Sequence, residues 1–139
     1  MLDTGWPMEV PVGQATNYRN LEVYQLAFDL AVEIDRLSKC FPRHELFEIG
    51  SQIRRSAKSV PANLAEGYGR RRYKQDYIRF IVYALASCDE TQVHLDMLRS
   101  TGSLDDVSYQ RMHQQYDTLG RKLNRFLQGV IQHHREPYR

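Results

Sequence analysis

Cysteine is scarce in this chain: there are two, Cys40 and Cys88, with no Cys-x-x-Cys and no regular spacing. That argues against a disulfide or redox pair, so both thiols are expected to be reduced packing residues in apolar helical surroundings. Long apolar runs are missing too. No stretch reaches the eighteen or so uncharged apolar residues of a membrane span, and the opening MLDTGWPMEVPVGQATN has no basic start leading into an apolar run. A cytoplasmic protein, with no membrane partner, is therefore expected. No Glu is followed three residues later by His, the arrangement with which helical bundles hold paired iron ions. Glu90 with His94 and His44 with Glu48 are isolated pairs one helical turn apart, and read as surface contacts. There is no phosphate loop ending in Lys-Ser/Thr and no nucleophile elbow, and Gly67-Tyr68-Gly69 follows no strand pattern. The expectation is a chain without metal, cofactor, small-molecule substrate or catalytic activity.

What is present is helical periodicity. With 139 residues and 42% hydrophobic composition, the chain suits one domain with a core of its own. Residues 1–17 hold Gly5, Pro7, Pro11 and Gly13 without apolar period and read as an irregular tail, though Trp6, Met8 and Val10 give it docking potential. A first helix, capped by Asn20 and stopped by Pro42, places Val23, Leu26, Ala27, Leu30, Ile34, Leu37 and Phe41 on one stripe, and Tyr24, Phe28 and Val32 form a second apolar line. A second helix, starting near Arg43 to Glu45, carries Leu46, Ile49, Ile53, Ala57, Val60 and Leu64 and ends at Gly67-Tyr68-Gly69. Pro61 sits within it, and either kinks a continuous helix or separates two short ones.

A third helix spans about Tyr73 to Ser100, with Tyr77, Ile81, Ala84, Leu85, Cys88, Thr91, Leu95 and Leu98 inward. A fourth, capped by Ser103 or Asp105, repeats Tyr109, Met112, Tyr116, Leu119, Leu123, Phe126 and Val130 at gaps of three and four. The expected fold is all-α: an antiparallel up-down-up-down four-helix bundle over 18–132, helix two kinked or broken near Pro61, with a frayed tail at 133–139. Ile53, Leu64, Ile81, Leu85, Leu95, Leu119 and Leu123 are its expected core. Apolar surface on the first and fourth helices beyond what one core needs points to self-association.

Charge is unevenly spread. Between Arg54 and Arg79 stand eight Lys/Arg (Arg54, Arg55, Lys58, Arg70, Arg71, Arg72, Lys74, Arg79) against Glu66 and Asp76, an excess of six in a chain of net charge +2. The remainder is therefore net acidic by four. Helical geometry points Arg54, Arg55 and Lys58 away from the apolar stripe, displayed to solvent. Guanidinium groups suit phosphates, and Tyr68, Tyr73 and Tyr77 interleaved among them suit unpaired bases. The same residues equally well form a solvated face and a tyrosine-lined subunit interface. Asn63 and Glu66, flanking Pro61, read as structural partners for loosened backbone and arginine groups.

The run Ser51-Gln-Ile-Arg-Arg-Ser-Ala-Lys-Ser-Val-Pro-Ala-Asn-Leu-Ala-Glu-Gly-Tyr-Gly69 resembles the signature of the four-helix-bundle proteins encoded by intervening sequences in bacterial 23S rRNA genes. Supporting matches are Leu21-Glu-Val-Tyr-Gln25, Phe41-Pro42, Tyr77-Ile-Arg-Phe80 with Ala84, Ser87 and Glu90, and Leu119-Gly120, so the likeness spans about 18–128. Ala86, where that family tends to have Gly, and Tyr83, where an aliphatic is common, depart from the pattern. The resemblance implies an antiparallel bundle assembled as a homopentamer, with a role in binding RNA or other nucleic acid. The functional expectation is thus a non-enzymatic oligomer that binds RNA or DNA through Arg54, Arg55, Lys58, Arg70, Arg71, Arg72, Lys74, Arg79, Tyr68 and Tyr73. The alternative is a protein-interaction or scaffold oligomer with no nucleic-acid ligand.

Overall fold

The computed structural model describes residues 17–136; the tail expected at 1–17 lies, apart from Asn17, outside the described residues. Among these the structure is all helix: a 3-10 turn at Tyr18–Asn20, then α1 (Glu22–Ser38), α2 (Arg43–Leu46), α3 (Ile49–Gly69), α4 (Lys74–Ser100) and α5 (Asp106–His133). Each long helix packs on its chain neighbours, and α1 also meets α5. The result is the antiparallel four-helix bundle. This arrangement brings the start of α1, the α3–α4 loop and the end of α5 to one end of the bundle.

Local chemistry sets the boundaries. Asn20 does not cap α1, whose N-cap is Leu21 with no side-chain bond; Asn17 caps the preceding 3-10 turn, its side chain accepting from the Arg19 N–H at 2.8 Å while the Asn20 side chain accepts from the Asn17 N–H at 3.0 Å. Between α1 and α3, the single turn α2 is separated from α3 at Phe47 and Glu48, so the continuous second helix starts four to six residues later than its sequence pattern placed it. The interruption has a visible cause. Glu45 is buried, accepting from the Ile49 N–H and from Ser103 Oγ, and Gly50 leaves no room for a Cβ, which would lie 2.8 Å from the Glu45 carbonyl oxygen. Pro61, in contrast, sits inside a continuous, bent α3. The α4–α5 turn uses Gly102 at φ +83°, and Asp105 caps α5 by accepting from the Ser108 N–H at 2.6 Å.

The core contains Ile34, Ile53, Leu64, Ile81, Leu95, Leu98, Met112, Tyr116, Leu119, Leu123 and Val130, all essentially inaccessible. Six of the seven expected core leucines and isoleucines are buried; Leu85 is half-buried at the edge of the cluster. Cys88 is buried and its thiol is pushed up to about 12 by desolvation, whereas Cys40 is exposed and does not pack inside. The α3–α4 seam is polar in part. Ser56 Oγ lies 2.8 Å from Thr91 Oγ1, Ser59 Oγ lies 2.9 Å from Ser87 Oγ, and the Asn63 amide donates to both the carbonyl and the hydroxyl of Ser59. At the seam's end a Cβ on Gly67 would stand 2.9 Å from Phe80 Cβ, so the helices approach as closely as they do only because residue 67 has no side chain.

Candidate nucleic-acid interface

The signature run at 51–69 is thus largely internal. Arg54, expected to face solvent, is half-buried instead: Nη1 donates to Ser38 Oγ at 3.0 Å and Nη2 to the Leu46 carbonyl at 3.1 Å. It ties the end of α1 to the interrupted turn before α3. A long side chain can curl back across its own helix face, which a helical wheel does not register. Lys58 does reach the surface but pairs with Asp35 at 3.2 Å, and that hydrogen bond holds the Asp35 carboxyl below the usual carboxylate range. Arg55 is exposed and donates to Ser51 Oγ at 3.1 Å.

The remaining cations surround the α3–α4 loop. Arg70 is engaged by Glu66 at 2.9 Å, by Asp76 at 3.8 Å and by the Phe80 ring, and Arg79 pairs with Asp76 at 3.3 Å. Lys74 works as a helix terminus residue: its Nζ donates to the Ile131 carbonyl at 2.7 Å, near the end of α5, and its backbone N–H donates to Glu136 at 2.9 Å. Arg71 lies over the Tyr68 ring, 3.9 Å from its centre, and donates to the Tyr68 carbonyl, while Arg72 and Tyr73 are exposed. Tyr68 is half-buried edge-on against Tyr77, and Tyr77 is buried, so of the three tyrosines Tyr73 is the one free to meet a base.

Two residues join this group from the far end of the chain. α5 ends at His133; of the tail expected to fray at 133–139, residues 137–139 lie outside the described residues, and His134 and Glu136 are tied down. His134 Nε2 donates to the Arg71 carbonyl at 2.7 Å, and its ring stands edge-on to Tyr77 with 5.1 Å between centres. Gly69, Arg71, Arg72, His134 and Arg135 thereby line a pocket of about 330 Å³ that no acidic side chain lines. Sequence reasoning missed His134 and Arg135 because apolar period stops at Val130. The up-down topology held the signal: it returns the end of the fourth helix to the loop between the second and third.

Electrostatically, then, the basic stretch divides. Lys58, Arg70 and Arg79 pair with carboxylates, Arg54 and Lys74 reach a hydroxyl and carbonyls on other helices or turns, and Arg71 and Arg135, each also donating to a carbonyl three residues earlier, converge with Arg72 at one end of the bundle. Among the described residues no group of three or more His, Cys, Asp or Glu is placed to hold a metal ion, and no helix is long and apolar enough to cross a membrane.

Residues 19–125 match the profile of the family described as 23S rRNA-intervening sequence protein. The chain belongs to that family. Within the 23S rRNA-intervening sequence proteins, the signature run at 51–69 now has a physical reading here: hydroxyls and Asn63 for the α3–α4 seam, Gly67 for its close approach, Arg54 for the α1 junction. A solved structure from Bacteroides thetaiotaomicron VPI-5482, described as a protein with unknown function from the S23 ribosomal protein family, superposes with a TM-score of 0.70 at 24% identity. The superposition covers 76% of this chain and 97% of that one, and the likeness is one of fold. No curated protein matches the chain.

Proposed function

We propose that this member of the family is a non-enzymatic RNA-binding homo-oligomer whose phosphate-binding surface is the arginine end of the bundle, Arg71, Arg72 and Arg135, with Tyr73 beside it as a stacking face. The observation that carries the reading is the convergence of those three guanidinium groups, with His134, around a pocket lined by no carboxylate. Guanidinium groups bind phosphate bidentately, and RNA whose bases are unpaired offers them both a backbone and a ring to stack. Lys58, Arg70, Lys74 and Arg79, already paired inside the chain, add to the field rather than to the contacts.

Self-association is supported by α4. Opposite its buried face, Val82, Tyr83, Val93 and Met97 are each 45–56% exposed, and with Ala86 they make an apolar stripe interrupted by the exposed Asp89 and Glu90. On the first and fourth helices the exposed large apolar side chains are Phe28 on α1 and Val107 and Ile131 near the two ends of α5. A ring of five subunits, the assembly that family resemblance implies, would repeat the arginine end five times and turn weak single contacts into useful avidity.

The test is a gel-shift panel of single-stranded, duplex and structured RNA and DNA at two salt concentrations, alongside mass by light scattering. Binding of RNA that weakens steeply with salt supports the reading. No retardation at low salt would overturn it and leave a protein-interaction oligomer as the alternative. A mass that stays at 16.4 kDa would remove the oligomer.

A further inference from the structure

Between α1 and α3 an apolar groove of about 500 Å³ runs beside the bend at Pro61, lined by Tyr18, Tyr24, Phe28, Val32, Pro61 and Ala62 among others, with the Asp35–Lys58 pair at its far end. We propose that this groove is the seat of the chain's own N-terminal segment, residues 6–12, Trp-Pro-Met-Glu-Val-Pro-Val, docked within the same subunit.

Three features of the chain favour that occupant. The first is continuity: Tyr18, one residue inside the described structure, is itself a wall of the groove, edge-on to Tyr24 at 4.9 Å, so the described chain begins beside the groove. The second is length. From Tyr24 to Asp35 the α1 side of the groove is about 16 Å long at 1.5 Å per residue, which about five extended residues cover, and Gly13 to Thr16 suffice to reach it from Asn17. The third is chemistry. Residues 6–12 bring the chain's single Trp together with Met8, Val10 and Val12, while Pro7 and Pro11 favour an extended course and remove two N–H donors. An extended segment between two helices finds no ladder partner, so missing donors reduce its desolvation cost, and aromatic-lined grooves recognise proline-bearing extended segments in general.

Trp6, as the sole tryptophan, reports on this directly in the full-length protein. Its emission should be blue-shifted, and several-fold less quenched by acrylamide, than in a synthetic peptide of residues 1–16. Phe28→Asp, and independently Ala62→Glu at an exposed position of the groove wall, should bring both readings to the peptide's values with helical circular dichroism unchanged. Val107→Asp, an 80% exposed side chain at the start of α5, should change neither. Peptide-like emission in the parent protein would overturn the proposal, as would groove variants that leave a protected Trp6 protected. Protection that vanishes on dilution to monomer would place the segment in a neighbouring subunit and overturn docking within the chain. A solvated Trp6 combined with groove variants that change the oligomer mass would assign the groove to a subunit interface instead.

Discussion

The imidazole of His134 donates to the main-chain carbonyl of Arg71 across 2.7 Å, linking residues 63 positions apart. It is this bond, with Lys74 Nζ on the Ile131 carbonyl and Glu136 on the Lys74 N–H, that fastens the end of α5 to the arginine loop. His134→Ala should therefore loosen the loop and lower RNA affinity severalfold without removing a phosphate contact, leaving the salt dependence unchanged. Arg135→Gln should lower affinity and flatten the salt dependence by about one contact. Anisotropy titrations with one labelled RNA at several salt concentrations separate the two.

Arg54 should behave in the opposite way. Arg54→Ala removes the donors to the Leu46 carbonyl and to the Ser38 hydroxyl, which keeps only its own bond to the Asp35 carbonyl, at a cost of about 1–3 kcal/mol in urea unfolding. RNA affinity at a temperature where the variant is folded should match the parent.

Core side chains should be graded by burial. Leu123→Ala and Ile81→Ala, both fully buried, should each cost about 2–5 kcal/mol, and half-buried Leu85→Ala distinctly less, by thermal or urea melts. Tyr116→Phe should raise stability by about 1 kcal/mol. The Tyr116 hydroxyl is buried with no hydrogen-bond partner among the described residues, and the same desolvation pushes its phenol well above the ordinary range.

Asp105 makes one contribution dependent on pH. The Ser108 N–H, and then its hydroxyl, hold the Asp105 carboxyl below the usual carboxylate range in the folded chain. A lowered folded value means that the stabilisation is complete above about pH 4 and is lost as pH falls through the lowered value. The Tm difference between the parent and Asp105→Asn, which keeps a capping oxygen, should shrink on acidification below that range.

The four long helices were legible because each carries a stripe at helical period, and Pro42, Gly69 and Gly102 punctuate them. The break at Phe47–Glu48 was not, because Leu46, Ile49 and Ile53 stay in phase across it, and its cause is the tertiary burial of Glu45. Nor was the outer stripe on α4. Val82, Val93 and Met97 blur the period of the inner face, so that both sides of the helix are apolar and sequence alone selects one. In the candidate site, Arg71 and Arg72 were evident as charge. Whether a given cation is displayed or consumed depends on partners far along the chain: Ser38 for Arg54, Asp35 for Lys58, Ile131 for Lys74.

The most direct measurement is the affinity of a labelled single-stranded RNA for the parent and for the triple variant Arg71→Gln, Arg72→Gln, Arg135→Gln, taken across a salt series with melting temperature and mass measured in parallel. At about 0.7 units of slope per phosphate contact on a single strand, the variant should lose about two units of salt dependence and most of its low-salt affinity, with stability and mass unchanged. A triple variant that binds the RNA as tightly as the parent, with the same slope, would contradict the assignment of RNA binding to the arginine end of the bundle.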